Sequence, residues 1–293
     1  MSENIDKLLK AKPTKKNGKA LLQWIDEIQD QITRGDMMIG ILSVEEVKKV
    51  PLAYERAIAC GEAEAYYSLA RWYTDPPIGE PDLSAAEETI RNAISKGLDD
   101  AKIRLIEHFW FFRRNDATDE EQKEAYSTSC DLVADKKNDK ALYLQGLLTC
   151  AGFGTKADPA KAFAIQQKAA DLGNTDAMFE LFVHWANGLG VDQDDQEAFA
   201  ANQRAADSGH PRALYNMGAF MASGKYGQKD SKKAFQWYER ALEAGNPRAL
   251  INLAVMCAMG DGVEEDKERA EQLFEEAEAF GFDVSMFKSH VGL

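Results

Sequence analysis

ALYNMGAFMASG at residues 213–224, followed by SKKAFQWYERALEAG at residues 231–245, decides the fold. In the first stretch Ala213, Met217, Gly218 and Met221 recur at spacings of three and four residues, which stacks them along one side of an α-helix. Gly218 stands inside that stripe, where glycine costs about 1 kcal/mol of helix propensity relative to alanine. A residue kept small at that cost predicts the close approach of a second helix. The second stretch places Ala234, Trp237, Tyr238 and Ala241 on its buried side, and Gly245 supplies the left-handed residue that ends a helix. Asn246-Pro247 then opens another unit, with proline where a missing amide hydrogen costs little. The pair reads as a helical hairpin that turns through residues 224–230.

The same grammar returns along the chain. Ala65, Ala101, Ala141, Ala177, Ala213 and Ala249 begin successive units, with four intervals of 36 residues and one of 40. Gly146, Gly218, Ala70 and Ala254 keep the close-approach position small, and Gly152, Gly188, Gly224 and Gly260 end four first helices. In the second helices Ala86, Ala162, Ala198, Ala234 and Ala270 form one column. Ala93, Ala169, Ala205, Ala241 and Ala277 form the next, closed by Gly97, Gly173, Gly209, Gly245 and Gly281. Repetition at this period predicts two-helix units that stack in series, each packing on its neighbours.

The unit at Ala101 departs from the pattern. Its first helix runs into Phe109, Trp110, Phe111, Phe112, Arg113 and Arg114 with no turn glycine, and about four extra residues are placed in the 115–121 segment. Tyr126 and Val133 then fall in the alanine columns and Lys137 in the terminating position. The aromatic run is either filler for an irregular turn or an anchor for a partner.

The organisation expected is a flexible basic lead-in over 1–18 and an N-terminal capping helix with a partial repeat over 19–49. A repeat array follows over 50–282, irregular at 101–140, with a short cap over 283–293 in which Phe282, Val284 and Phe287 seal the last apolar face. The amphipathic residues Leu21, Leu22, Ile25, Ile28 and Ile32 close the N-terminal end, and Ala57 and Gly61 continue the repeat register.

Composition bounds the function. With 293 residues and 45% hydrophobic content the chain has ample material for a core. A net charge of −14 and a pI near 4.9 argue against nucleic acid, whose binding needs a basic footprint. The dense basic stretch Lys7, Lys10, Lys12, Lys15, Lys16 and Lys19 reads as a solvated segment. No secretory leader follows Met1 and no run of 18 apolar residues suggests a membrane span, so a cytoplasmic location is expected. Cys60, Cys130, Cys150 and Cys257 never fall two to a unit, which fits reduced, buried thiols.

The residues Ala213, Met217, Gly218, Gly224, Asp230, Lys233, Ala234, Trp237, Tyr238, Ala241 and Gly245, with Gly190-Val191-Asp194 and Gly262-Val263-Asp266, resemble the Sel1-like repeat family, a relative of the tetratricopeptide repeat. The resemblance covers roughly residues 50–282. It implies an all-α, right-handed α/α solenoid of about six to seven two-helix repeats that holds proteins or peptides, often as an adaptor in bacterial signalling or host contact; an adaptor, inhibitor or immunity-type partner is the role expected here. Secreted members commonly carry one disulfide per repeat, and the pattern here lacks those pairs.

In such a stack first helices line the inner curve, and offsets two, six, nine and ten from each alanine point away from the packing. They select Tyr67, Arg71, Glu107, Trp110, Phe111, Tyr143, Phe179, Asn187, Tyr215, Ser223 and Ile251, to which Arg212 and Arg248 add cations one repeat apart. These are the candidate partner-binding residues. The offset-two aromatics are either an internal ladder or a contact stripe.

Chemistry finds no footing. His108, His184, His210 and His290 do not converge, and H-E-x-x-H, C-x-x-C, Walker and G-x-S-x-G patterns are absent from the sequence. Asp192, Asp194 and Asp195 faintly resemble a calcium loop, but Glu197 and Gln203 occupy the positions that need glycine and glutamate. The acid-rich residues 261–278 read as a solubilising end. We therefore expect a non-enzymatic binding protein without cofactor or metal, its partner a protein or peptide and not a membrane. The oligomeric state stays open, with the monomer favoured. The rival readings are a structural or oligomerising module, and a small-ligand regulatory domain centred on the Ala101 unit.

Overall fold

The computed structural model describes residues 2–34, 42–98, 100–134 and 138–293, with only the backbone of residues 2–4. Helices pair in sequence order, and no strand occurs among the described residues. The contacts divide the chain into two compact units, residues 1–129 and 130–293.

The N-terminal unit contains α1 (Ser2–Lys10), α2 (Lys15–Thr33), α3 (Val44–Val47), α4 (Val50–Ala59), α5 (Ala65–Thr74), α6 (Leu83–Ser95) and α7 (Ala101–Glu107). A π-helical turn (His108–Phe112) follows, and α8 (Asp119–Val133) begins in this unit. The reading of residues 1–18 as a flexible lead-in is corrected. Residues 2–10 form α1, Thr14 caps α2 by accepting the Asn17 amide, and Ile5 is buried with Leu21, Trp24, Ile25 and Ile28. The lysines hid one apolar stripe of Ile5, Leu8 and Leu9, which packs on the amphipathic face of α2.

The C-terminal unit contains α9 (Asp139–Ala151), α10 (Pro159–Asp171), α11 (Thr175–Asn187), α12 (Asp195–Asp207), α13 (Pro211–Ser223), α14 (Ser231–Glu243), α15 (Ala249–Met259), α16 (Lys267–Ala279) and α17 (Ser285–Val291). All alanines of the three repeat columns are buried. Gly152, Gly188, Gly224 and Gly260 are left-handed C-caps. At Gly218 the close approach is real: a Cβ there would lie 2.6 Å from two carbons of the Tyr238 ring. Gly262 serves a different contact. Its φ is +84°, and a Cβ would meet the Ser231 carbonyl oxygen at 2.3 Å, so this glycine sets one repeat against the start of the preceding second helix. Val284 is buried as expected, whereas Phe287 stays about 39% exposed.

A capping column fixes the register more firmly than the alanines do. Asp82, Asp158, Asp194, Asp230 and Asp266 each accept a backbone amide at the start of a second helix, and each lies 17 residues after its repeat's alanine. Thr118 holds the same place after Ala101, in a reciprocal pair with Glu121. The extra residues of this repeat therefore do not lie in the 115–121 segment. Gln122 and Ser129, not Tyr126 and Val133, occupy the column positions; Ser129 is fully buried and Tyr126 half-buried. The surplus follows Ser129, where the two units divide. Lys137, expected to end this helix, lies outside the described residues.

First helices of the C-terminal unit carry a second kind of cap. Asn138, Asn174 and His210 accept amides of Ala141, Ala177 and Ala213, and Asn246 accepts that of Arg248. Three of these caps also reach back one repeat: Asn174 Nδ2 donates to Asp139 (2.9 Å), Asn246 Nδ2 donates to the Pro211 carbonyl (3.2 Å), and His210 Nε2 lies 3.3 Å from Asp176. One side chain thus ends a helix and ties neighbouring repeats.

Candidate functional site

The irregular repeat shapes the candidate site of the N-terminal unit. Eleven residues after its alanine, where the four first helices of the C-terminal unit place glycine, stands Phe112. A left-handed residue is costly for a side chain with a Cβ, and the helix instead widens into a π turn in which the Arg113 amide donates to the His108 carbonyl. The turn sorts the aromatic run into two roles. Phe109 is buried between the Arg91 and Arg113 guanidinium groups, and Trp110, only 8% exposed, lies 4.0 Å beneath that of Arg114. Phe111 and Phe112 remain about half exposed. Trp110 is therefore filler and not lining, which corrects its place among the exposed candidates.

A five-charge cluster braces this turn from the α6 and α8 side. Arg113 bridges Glu87 (2.7 Å) and Glu121 (2.8 Å), while Arg91 holds Glu87 (2.8 Å) and grips Glu124 with two bonds of 2.9 and 2.8 Å. The bidentate Arg91 contact holds the Glu124 carboxyl below its ordinary range, against the opposing effect of burial. Next to the cluster His108 is buried, neither ring nitrogen has a hydrogen-bond partner among the described residues, and burial pushes its pKa down. It is a neutral wall group at neutral pH.

On the other side of the π turn, α5 and α7 enclose a cavity of about 680 Å³. Tyr67 and Arg71 line it from α5, Glu107 from α7, and Phe111 from the π turn, over a floor that includes Ile90 and His108. Four of the five candidates in this unit thus meet in one place. Arg104, absent from the candidates, completes the wall: it bonds Glu107 (3.0 Å), and its guanidinium lies 5.9 Å from the Tyr67 ring. Its offset of three had been assigned to neither packing nor lining. Arg71 is exposed and has no ion pair among the described residues. A second cavity, of about 630 Å³, lies between α2, α4 and α5 and shares Ser68, Arg71 and Asp75 with the first. Asp26, Glu64, Tyr54 and Trp72 line it, so Arg71 stands at the junction of an aromatic-walled cavity and an acid-lined one.

In the C-terminal unit the candidates separate. Tyr215, Arg248 and Ile251 meet Asn252, Phe282 and Phe287 around a cavity of about 380 Å³, where Tyr215 Oη accepts from Asn252 Nδ2 at 3.2 Å. Phe179 is buried, which corrects its exposed assignment: His210 stacks on it at 4.6 Å and the Arg212 guanidinium covers it at 4.5 Å. Tyr143 is half-buried on α9, Ser223 donates to the Ala219 carbonyl, and Asn187 donates to the Val183 carbonyl at the end of α11. Trp237 is half-buried under Arg240. The capping asparagines were missed because their signal is a column just before the alanines, at Asn138, Asn174 and Asn246, that is broken by His210.

Among the described residues no group of three or more His, Cys, Asp or Glu side chains could hold a metal, and no helix is long and apolar enough to cross a membrane. Asp194, one of the three aspartates of the calcium-like stretch, is a helix cap. The four cysteines are free. Cys60 and Cys257 are buried, whereas Cys130 and Cys150 are only half-buried, and Cys130 Sγ accepts from Gln145.

Comparisons with known proteins agree with this architecture. The model of the Sel1 repeat matches residues 139–174, 175–210, 211–246 and 247–279. A Sel1 repeat protein from Oxalobacter formigenes is similar at 31% identity, over 55% of this chain and 67% of that one, with a TM-score of 0.52. The protective antigen c5321 of uropathogenic Escherichia coli is similar at 22% identity and TM-score 0.56, over 84% of this chain and half of its own length. The immunity protein Pa5087 of Pseudomonas aeruginosa is similar at 18% identity and TM-score 0.54, over 74% of this chain and 81% of that one. No curated protein matches the chain.

Proposed function

Because this chain belongs to the Sel1 repeat family, whose fold is commonly a protein-interaction scaffold, we propose that it is a non-catalytic binding protein whose first-helix face contacts a protein or peptide. The observation that carries this reading is Arg71, a guanidinium without an ion pair among the described residues, at the junction of two cavities walled by Tyr67, Trp72, Phe111 and Phe112. An arginine among aromatic side chains on a preformed surface is the composition of an interface anchor. Rigid helices on either side spare the bound complex much of the ordering cost.

The test is site-specific photo-crosslinking in the native cell. A crosslinker at Ser68, exposed on α5, captures the partner; the same group at Glu88, exposed on α6, does not. Capture from Glu88 alone, or from neither site, overturns the proposal and returns the chain to a structural or oligomerising role.

A further inference from the structure

The two joined cavities of the N-terminal unit differ in charge and in wall chemistry, and that difference specifies a ligand. The larger one offers Phe111, Phe112 and Ile90 to an apolar side chain. Its acid, Glu107, is already engaged by Arg104 at 3.0 Å, which neutralises both. The other cavity carries the carboxylates of Asp26 and Glu64, neither with an ion pair among the described residues, beside Tyr54 and Trp72. Between them stands Arg71, a cation with no ion pair among the described residues, with the Ser68 hydroxyl one turn back along α5. A guanidinium presents a fork of donors that matches a carboxylate with two parallel bonds.

Resting on the reading of this face as a protein-binding surface, we propose that the groove takes an extended peptide segment whose Asp or Glu side chain pairs with Arg71. An apolar residue on one side of that acid seats against Phe111 and Phe112, and a basic residue on the other side meets Asp26 and Glu64. The carboxylate belongs to a side chain and not to a chain terminus, because cavities continue on both sides of Arg71. A terminal carboxylate placed there would leave one of them empty. The charge order of the ligand, basic then acidic then apolar, is the complement of the order along the groove.

The probe is an array of C-terminally amidated octapeptides, randomised at four central positions and incubated with the full-length protein. The best sequence is then measured by fluorescence anisotropy. Selected peptides carry Asp or Glu within two residues of Leu, Met, Phe or Trp, with Lys or Arg on the opposite side. Arg71→Gln weakens the best peptide at least tenfold, Arg71→Lys weakens it less, and Phe111→Ala weakens it about fivefold. Lys168→Gln, exposed on the second helix α10 of the C-terminal unit, leaves it unchanged. Selection without an acidic residue, no selection at all, a requirement for a free C-terminal carboxylate, or binding indifferent to Arg71→Gln each overturns the proposal. Arg71 is exposed and makes no ion pair among the described residues, and its effect on Tyr54 is electrostatic only, so its variants keep the fold. Capture from Ser68 reads the surface independently: crosslinking there with an array that shows no acidic preference removes this ligand and leaves the binding role standing.

Discussion

Gly218→Ala sets two opposing effects against each other at one atom. An added methyl relieves the helix of glycine's conformational freedom, a gain of about 1 kcal/mol. The same methyl would lie 2.6 Å from Cδ1 and Cε1 of Tyr238 and 2.9 Å from its Cγ, where ordinary contact begins near 3.4 Å. Restoring contact needs a shift of about 0.8 Å (3.4 minus 2.6) in a ring that is 3% exposed and lies 5.4 Å from the Tyr215 ring. Overpacking of this kind costs about 1–3 kcal/mol, and a rigid ring held by neighbours belongs at the upper end. The net effect is a loss of about 1–2 kcal/mol, borne by α13 and α14.

A stacked array opens locally, so one global midpoint would blur the effect. Hydrogen exchange of the slow amides of α13 and α14 in the full chain reads it directly. Their exchange accelerates about 5- to 30-fold, as 1–2 kcal/mol requires. Gly227→Ala, in the turn between these helices with no atom within 4 Å of the new Cβ, changes nothing. In a Tyr238→Ala background the Gly218→Ala change slows exchange, because only the propensity gain remains. If Gly218→Ala slowed exchange in the parent chain, close approach would not be what keeps this column small.

Arg91→Gln removes the two-bond grip on Glu124 and lowers the urea midpoint of the parent at pH 7. Glu124 is held below its unfolded value, so its contribution is full above the unfolded carboxylate pKa of about 4.3 and fades as pH falls through the lower folded value. The gap between variant and parent therefore narrows below about pH 4; a gap independent of pH refutes the ion-pair account. His210→Ala costs about 0.5–2 kcal/mol as a lost cap, while His210→Asn restores most of it, measured by exchange of the Ala213 amide. Equal losses from the two variants exclude the capping role. Gly262→Ala destabilises more than Gly245→Ala by thermal unfolding: both have positive φ, but only Gly262 also meets backbone, at 2.3 Å. Equal shifts would show that backbone strain alone matters.

The fold was legible because packing repeats: alanine and glycine columns recur wherever two helices approach, and each repetition tests the previous one. The site was legible only in part, since it depends on departures from the pattern. Offsets two and six bring Tyr67, Arg71 and Glu107 to one cavity, because helical geometry holds through α5 and α7, and Phe111 joins them from the π turn. Offset nine failed at Trp110, which lies in the π turn and is buried under Arg114. Phe179 failed for another reason. His210 is larger than the asparagine of the other caps and lies flat on that ring, a contact between repeats that spacing within one repeat does not encode. The aspartate caps at a constant interval were visible in the sequence and would have placed the surplus after Ser129. Weighing alanines alone shifted it.

The irregular repeat shows how one unit in an array of equivalent hairpins acquires a surface of its own. With Phe112 in place of the turn glycine the first helix has no left-handed stop and ends in a π turn, which leaves two phenylalanine rings half exposed beside α5. A compact domain would transmit such a distortion through its whole core. In a repeat stack each unit contacts only its neighbours, so the disturbance stays local and can be braced locally. Here the brace is the Glu87–Arg113–Glu121 and Arg91–Glu124 cluster on the α6 and α8 side, while the groove opens on the α5 side. Support and cavity are thus carried by different faces of the same turn. Arg71 and Phe111 lie outside that brace, whereas Arg91 and Arg113 are held by it.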